Sequence, residues 1–275
     1  MDNIFLLVVI GFLIGTIGTL IGAGGGFILV PLLILSIPSL NPDSITAISM
    51  GVVACNAISG SIAYIKAKRV DFKAGIIFAI CTIPGSILGV LTTKVISKQI
   101  FDLLFGTILI GLAFFLFIKG QKKSSRPSFD GNKKGWISQN ITDKNGEVYN
   151  YSYNIRNGIF LSILVGYLSP LLGIGGGIIH VPAMTEWLMF PVHVATATSH
   201  FILAIMSTVS VVTHFFQGSY KDPLVIKLLV GLAVGVIPGA QVGAYLSHRL
   251  KGKIIVKALA VCLAIVGVRI FFSAL

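Results

Sequence analysis

The side chains best suited to chemistry in this chain are hydroxyls, amides and imidazoles set inside apolar stretches. Residues 44–64 carry Thr46, Ser49, Asn56, Ser59 and Ser61; residues 194–216 carry Thr196, Thr198, Ser199, His200, Ser207, Thr208, Ser210, Thr213 and His214. At membrane depth such groups cost free energy unless they face the bundle interior, so they mark either a pathway or helix–helix hydrogen bonds. As donors they suit a weakly basic oxyanion. His200 has two readings: a group that binds an anion or carries a coupled proton, or a structural hydrogen-bonding residue.

Each polar stretch follows a glycine cluster, and the clusters repeat. Gly22-Ala23-Gly24-Gly25-Gly26, with Pro31 after it, returns as Gly173-Ile174-Gly175-Gly176-Gly177, with Pro182 after it. Consecutive glycines inside lipid expose amides that survive only against protein or a wet cavity. They turn the chain and then launch a short helix whose N-terminal amides, the positive dipole end, point at the break. Two such ends converging would hold an anion without a buried Arg or Lys. The alternative role is close helix packing through small residues. The candidate substrate-binding set is Gly24, Gly25, Gly26, Ser49 and Asn56 in the first half, and Gly175, Gly176, Gly177, Ser199 and His200 in the second.

Two further echoes keep the same order. Thr46-Ala47-Ile48-Ser49-Met50 matches Thr196-Ala197-Thr198-Ser199-His200, and Pro84-Gly85 with Gly89 matches Pro238-Gly239 with Gly243. The Pro-Gly pairs should kink their helices, with hinge and site-lining roles both open; Gln241, beside the second pair, joins the candidate site. A duplicated apolar chain with paired glycine breaks carries the sequence pointer to a transporter's binding site.

Composition sets the class. Apolar residues make up 55% and charged residues 11%, against about 25% charged in soluble domains, so an all-α integral membrane protein is expected. Apolar segments cover residues 4–21, 27–37, 44–64, 73–92, 100–118, 156–172, 178–190, 194–216, 224–246 and 254–272. Those at 27–37 and 178–190 fall short of the roughly 20 residues that span hydrocarbon. The first segment is not read as a signal peptide: Met1-Asp2-Asn3 lacks a basic lead, and the segment recurs at 156–172. In a soluble protein the net charge of +12 would suggest nucleic acid; here the cations sit in loops, where they act as orientation signals. Cys55, Cys81 and Cys262 lie in apolar segments without ligand spacing and read as small buried hydrophobes. No cofactor is implied.

The organisation follows as a first membrane repeat at 1–118, a basic cytoplasmic linker at 119–155 and a second membrane repeat at 156–275. In the linker Asn145-Gly146 between short β-prone runs signals a hairpin, and a flexible tether fits equally well. Lys66, Lys68, Arg69 and Lys73 make the earlier loop of the first half the more basic; in the second half the later loop, with Arg249, Lys251, Lys253 and Lys257, takes that place. With positive loops inside, the halves are inverted. Inversion needs an odd number of crossings per half, met if residues 4–37 and 156–190 fold as glycine-broken hairpins, each followed by three transmembrane helices. About 34 residues at 1.5 Å each is near 50 Å, too long for one crossing and too short for two. The rival arrangement has eight simple spans and parallel halves.

His193, His200 and His214 lie on one helical stripe. Histidines two turns apart stand about 10 Å apart, too far to share one tetrahedral ion, so no metal site is expected. His193 and His214 lie near segment ends and read as interfacial; His180, in place of Leu29, either faces the site or caps its hairpin. There is no H-E-x-x-H, no G-x-S-x-G and no phosphate-binding G-x-x-x-x-G-K-[ST], so neither an enzyme nor a pump powered by this chain alone is expected. An intramembrane enzyme built on His200, or an anion channel in the same polar cavity, are the competing readings.

The duplicated GxGGGxxxVP, with the downstream Thr-Ala-x-Ser and Pro-Gly-x-x-x-Gly elements, resembles the TauE/SafE family of membrane permeases over residues 5–118 and 156–272. The resemblance implies a multi-pass inner-membrane carrier, generally an exporter, for sulfur-containing anions such as sulfite and small organosulfonates, with a coupling ion as a further partner. Met50 stands opposite His200 and Asn56 opposite Met206, so the halves should contribute unequally to one site.

Overall fold

The computed structural model describes residues 3–119, 135–247, 264–265 and 267–272. The first repeat runs α1 (Ile4–Ile21), α2 (Gly26–Ser36), α3 (Pro42–Lys66), α4 (Phe72–Thr93) and α5 (Lys98–Lys119); the second runs α6 (Ile155–Leu172), α7 (Gly177–Glu186), α8 (Val192–Gln217) and α9 (Pro223–Leu246). Starts are set locally. Asn41 accepts from Ser44 N at 2.7 Å ahead of Pro42, and Asp71 accepts from Ala74 N at 3.0 Å. Asn154 and Asp222 cap α6 and α9 in the same way. These side chains satisfy amides that the first helical turn leaves free. Among the described residues α1, α3, α4, α6, α8 and α9 are long and apolar enough to cross a membrane.

Glycine seams order the bundle. Gly231, Gly235, Gly239 and Gly243 on α9 meet Leu7, Val8, Phe12 and Thr16 on α1, in step along both helices, so α1 and α9 run parallel. Gly85 and Gly89 on α4 lie against Gly166, Tyr167 and Leu171 on α6, again in parallel. Without Cβ atoms the backbones approach closely, which is how helices associate where lipid supplies no hydrophobic drive. The Pro-Gly-x-x-x-Gly elements therefore serve as packing seams. Ser59 to Ile237 and Gly51 to Leu229 make α3 parallel to α9; Asp71 to Thr198 and Ser86 to Ser210 make α4 parallel to α8. The pair at the centre does the opposite: Tyr64 lies by Ala197, Gly60 by His200 and Asp43 by His214, so α3 and α8 are antiparallel. Because α1 and α3 point the same way, α2 doubles back between them; α7 does so between α6 and α8.

The all-helical expectation requires one addition. The linker holds an antiparallel hairpin, β1 (Trp136–Thr142) with β2 (Val148–Asn154), pairing Trp136 with Asn154 through to Thr142 with Val148. Its loop includes Asn145-Gly146, with Gly146 left-handed at φ 84°. Strand alternation buries Tyr149, Tyr151 and Tyr153 on one face. Tyr151 and Tyr153 sit 4.7 and 4.8 Å from the Phe190 ring, each such pair worth about 0.5–1.5 kcal/mol beyond its buried area. Tyr151 Oη donates to Asp71 Oδ2 at 2.7 Å, Lys144 N to the Ala67 carbonyl at 3.0 Å, and Arg69 Nη2 pairs with Asp143 Oδ2 at 2.9 Å. Of the two linker readings, the hairpin is the one found over 136–154. Most of the expected last segment, 254–272, lies outside the described residues, as does 120–134.

Candidate functional site

The two glycine breaks lie side by side between α3 and α8. In the first, Gly22, Gly24 and Gly25 have φ of 79°, 79° and 87°; in the second, Gly173 and Gly175 have 66° and 68°. L-residues enter this left-handed region at roughly 1–2 kcal/mol each, which accounts for glycine there. Gly176 departs from the symmetry with φ −49°. A Cβ on Gly26 would fall on the Gly173 carbonyl, and one on Gly177 on the Gly22 carbonyl, so the breaks touch backbone to backbone. The amides of Gly25, Gly26 and Phe27, and of Gly175, Gly176 and Gly177, donate to no group among the described residues. They are the N-terminal donors of α2 and α7.

Side chains from the central helices clamp the breaks reciprocally. Ser49 Oγ donates to the Gly173 carbonyl at 2.5 Å, and its repeat counterpart Ser199 Oγ to the Gly22 carbonyl at 3.5 Å. Symmetry then ends. Asn56 Nδ2 donates to the Gly24 carbonyl at 2.8 Å, while Thr19 Oγ1 meets Asn56 Oδ1 at 2.6 Å and His200 Nε2 at 3.3 Å. Where the first half has Asn56 the second has Met206, whose methyl approaches Gly176. Ser49, Asn56, Ser199 and His200 are fully buried.

Residues 7–270 match the family described as sulfite exporter TauE/SafE. The chain belongs to that family. It is 34% identical over 274 residues to a probable membrane transporter protein, YunE, of Bacillus subtilis, covering 98% of this chain and 97% of the relative. A probable membrane transporter protein of Methanocaldococcus jannaschii is 28% identical over 207 residues, 74% of this chain and 68% of the relative. No solved structure gives a match. The TauE/SafE chain is thus a multi-pass membrane transporter with a small-molecule substrate.

Within this TauE/SafE chain the breaks bring together ten of the eleven expected site residues. Gln241 stands apart: its Nε2 donates to the Ser59 carbonyl at 2.6 Å and to Ser59 Oγ at 2.9 Å, on the residue that precedes Gly60, which lies against His200. Sequence reasoning missed Thr19 and Tyr64. Tyr64 Oη donates to the Thr19 carbonyl at 2.8 Å, and its ring stands edge-on to His200. A threonine in the last turn before a glycine break was the available signal. His180 on α7 lies 3.3 Å from Ser162 Oγ on α6, a contact between the two arms of its own hairpin. His214 is buried, with Nδ1 at 3.1 Å from Ser219 Oγ and 3.3 Å from Asp43 Oδ1; a neighbouring loop and α3 cover it.

Proposed function

We propose that this TauE/SafE transporter is a secondary carrier of small sulfur-containing oxyanions such as sulfite or organosulfonates, working by alternating access between inverted repeats, with the site at the two glycine breaks. The observation that carries the reading is the convergence of the breaks with six unused amides, three from each short helix. Donors of this kind, at positive helix ends in a low-dielectric interior, suit an anion without a fixed cation. Inversion is supported by the antiparallel course of α3 and α8, which are repeat counterparts, and by α2 and α7 doubling back. Every break residue is buried, which suits an occluded stage of such a cycle.

Counterflow in proteoliposomes tests the function: internal labelled sulfite should exchange with external sulfite and saturate. Unsaturable current would favour a channel, and labelled sulfite that is converted would favour an enzyme. Topology is tested with single cysteines in a background lacking Cys55, Cys81 and Cys262. Positions 145 and 247 should react with an impermeant maleimide from one side of the membrane, and positions 97 and 221 from the other. Labelling of 247 together with 97 would sink the inverted arrangement.

A further inference from the structure

Counting hydrogens around His200 assigns the proton on its ring. Asn56 is oriented by its amide nitrogen, which donates to the Gly24 carbonyl at 2.8 Å, so Oδ1 turns to Thr19 Oγ1 at 2.6 Å. An amide oxygen only accepts, so the one hydroxyl hydrogen of Thr19 goes to Asn56. Thr19 Oγ1 can then only accept from His200 Nε2 at 3.3 Å, which places the ring hydrogen on Nε2. Nδ1 is left as a bare lone pair, fully buried and without a hydrogen-bond partner.

The surroundings of the ring extend the point. The carbonyls of Gly22 and Asn56 lie beside the imidazole without completing a bond to Nδ1, and both are acceptors. Tyr64 from α3 is the titratable side chain packed on the ring, edge-on at 5.7 Å, and its hydroxyl hydrogen is used on the Thr19 carbonyl. From α1 the ring meets the hydroxyl of Thr19, and among the described residues no charged side chain forms an ion pair or hydrogen bond with it. A bare anion brought to this nitrogen would meet lone pair with lone pair. What fits is a hydrogen between the two.

We propose that the ligand enters the breaks together with one proton, held between a ligand oxygen and His200 Nδ1. This rests on the anion site proposed above and adds the form in which the ligand is bound. The proton comes from solvent, either as the O–H of a singly protonated oxyanion or as the N–H of an imidazolium facing the fully ionised one. The two descriptions have the same atoms and the same net charge. Met50 occupies the equivalent place in the other repeat and cannot take a proton, so the count is one per site.

The test uses the full chain in detergent and sulfite as probe, at a mildly alkaline pH where sulfite is chiefly the dianion. Calorimetric titration in two buffers of different ionisation heat gives the protons taken up per sulfite bound. One is expected for the native chain. In His200→Gln, whose amide donates to the dianion unaided, uptake per sulfite bound should fall to near zero at a weakened affinity; His200→Met, which copies Met50, should lose the uptake as well and serves if the first variant does not fold. Sulfite binding to the native chain without proton uptake overturns the proposal, as does the same uptake in either variant. Absence of any sulfite binding to the folded native chain overturns the anion site itself, a separate result, and the proposal with it.

Discussion

Valine at Gly26 or at Gly177 is expected to abolish transport and to lower the thermal unfolding midpoint of the detergent-solubilised protein steeply. Each new Cβ lands on a carbonyl of the opposing break, so backbone is driven into backbone with no side chain free to move aside. Overpacking in ordinary cores costs about 1–3 kcal/mol, and a rigid backbone contact belongs at or above the upper end. Gly176 supplies the contrast. Its φ is −49°, and a Cβ there meets side-chain atoms of Val165, Met206 and Ser169. Gly25, at φ 87°, adds a left-handed penalty of roughly 1–2 kcal/mol to any substitution. Gly176→Ala should therefore keep more stability and more sulfite counterflow than Gly25→Ala. Native flux and melting in Gly177→Val would contradict the close apposition of the breaks.

The second large effect belongs to the hairpin. Arg69→Met leaves the Asp143 carboxylate covered and without its countercharge, since both side chains of the pair are almost inaccessible at 3% and 0% exposure. Breaking such a pair costs about 3–5 kcal/mol, and the low end applies because these groups lie close to the surface of the fold. Arg69→Met/Asp143→Asn, which removes the unpaired charge and keeps an oxygen for the amides of Asn145 and Glu147, should recover most of the loss. Acid gives an independent handle. Burial by itself raises the Asp143 carboxyl, but hydrogen bonds from Arg69 and from the amides of Glu147 and Asn145 outweigh it and hold the group below the usual carboxylate range. The stabilisation is then fully present above the unfolded value of about 4 and disappears as pH falls through the lower folded-state value. Melting curves across that acid range should flatten in Asp143→Asn; an unchanged acid profile in that variant would remove Asp143 from the account.

Much of the membrane architecture was readable because it is periodic or duplicated. The glycine clusters, the short helices after them and the polar faces of α3 and α8 all announced themselves in residue order, and Ser49 and Ser199 emerged as partners through their matching places in the repeats. Thr19 did not, because its repeat counterpart is Pro170 and no echo pointed to it. Its role depends on α3 and α8 bringing Asn56 and His200 to the same spot. His214 looked interfacial from its place near a segment end, yet Asp43, distant in sequence, meets it across the antiparallel pair. The Asn145-Gly146 turn of the hairpin was visible; what the tyrosines of β2 would pack on was not, since Phe78 and Phe190 come from opposite repeats. In each miss the deciding partner was tertiary.

The parallel seams between α1 and α9 and between α4 and α6 bear on how the chain is made. Each seam joins one repeat's first helix to the other repeat's Pro-Gly helix, so neither repeat contains the partner that its own opening helix needs. During synthesis α1 enters the bilayer with its glycine face uncovered and stays so until α9 emerges, nearly a whole chain later. Contacts this remote in sequence form slowly, because the long intervening loop must close before they stabilise anything. The duplicated halves are thus obligate complements: what looks like two copies of one module assembles as a single cooperative unit, and cutting the connecting segment would yield two fragments that fold on meeting each other in the membrane, with neither preformed alone.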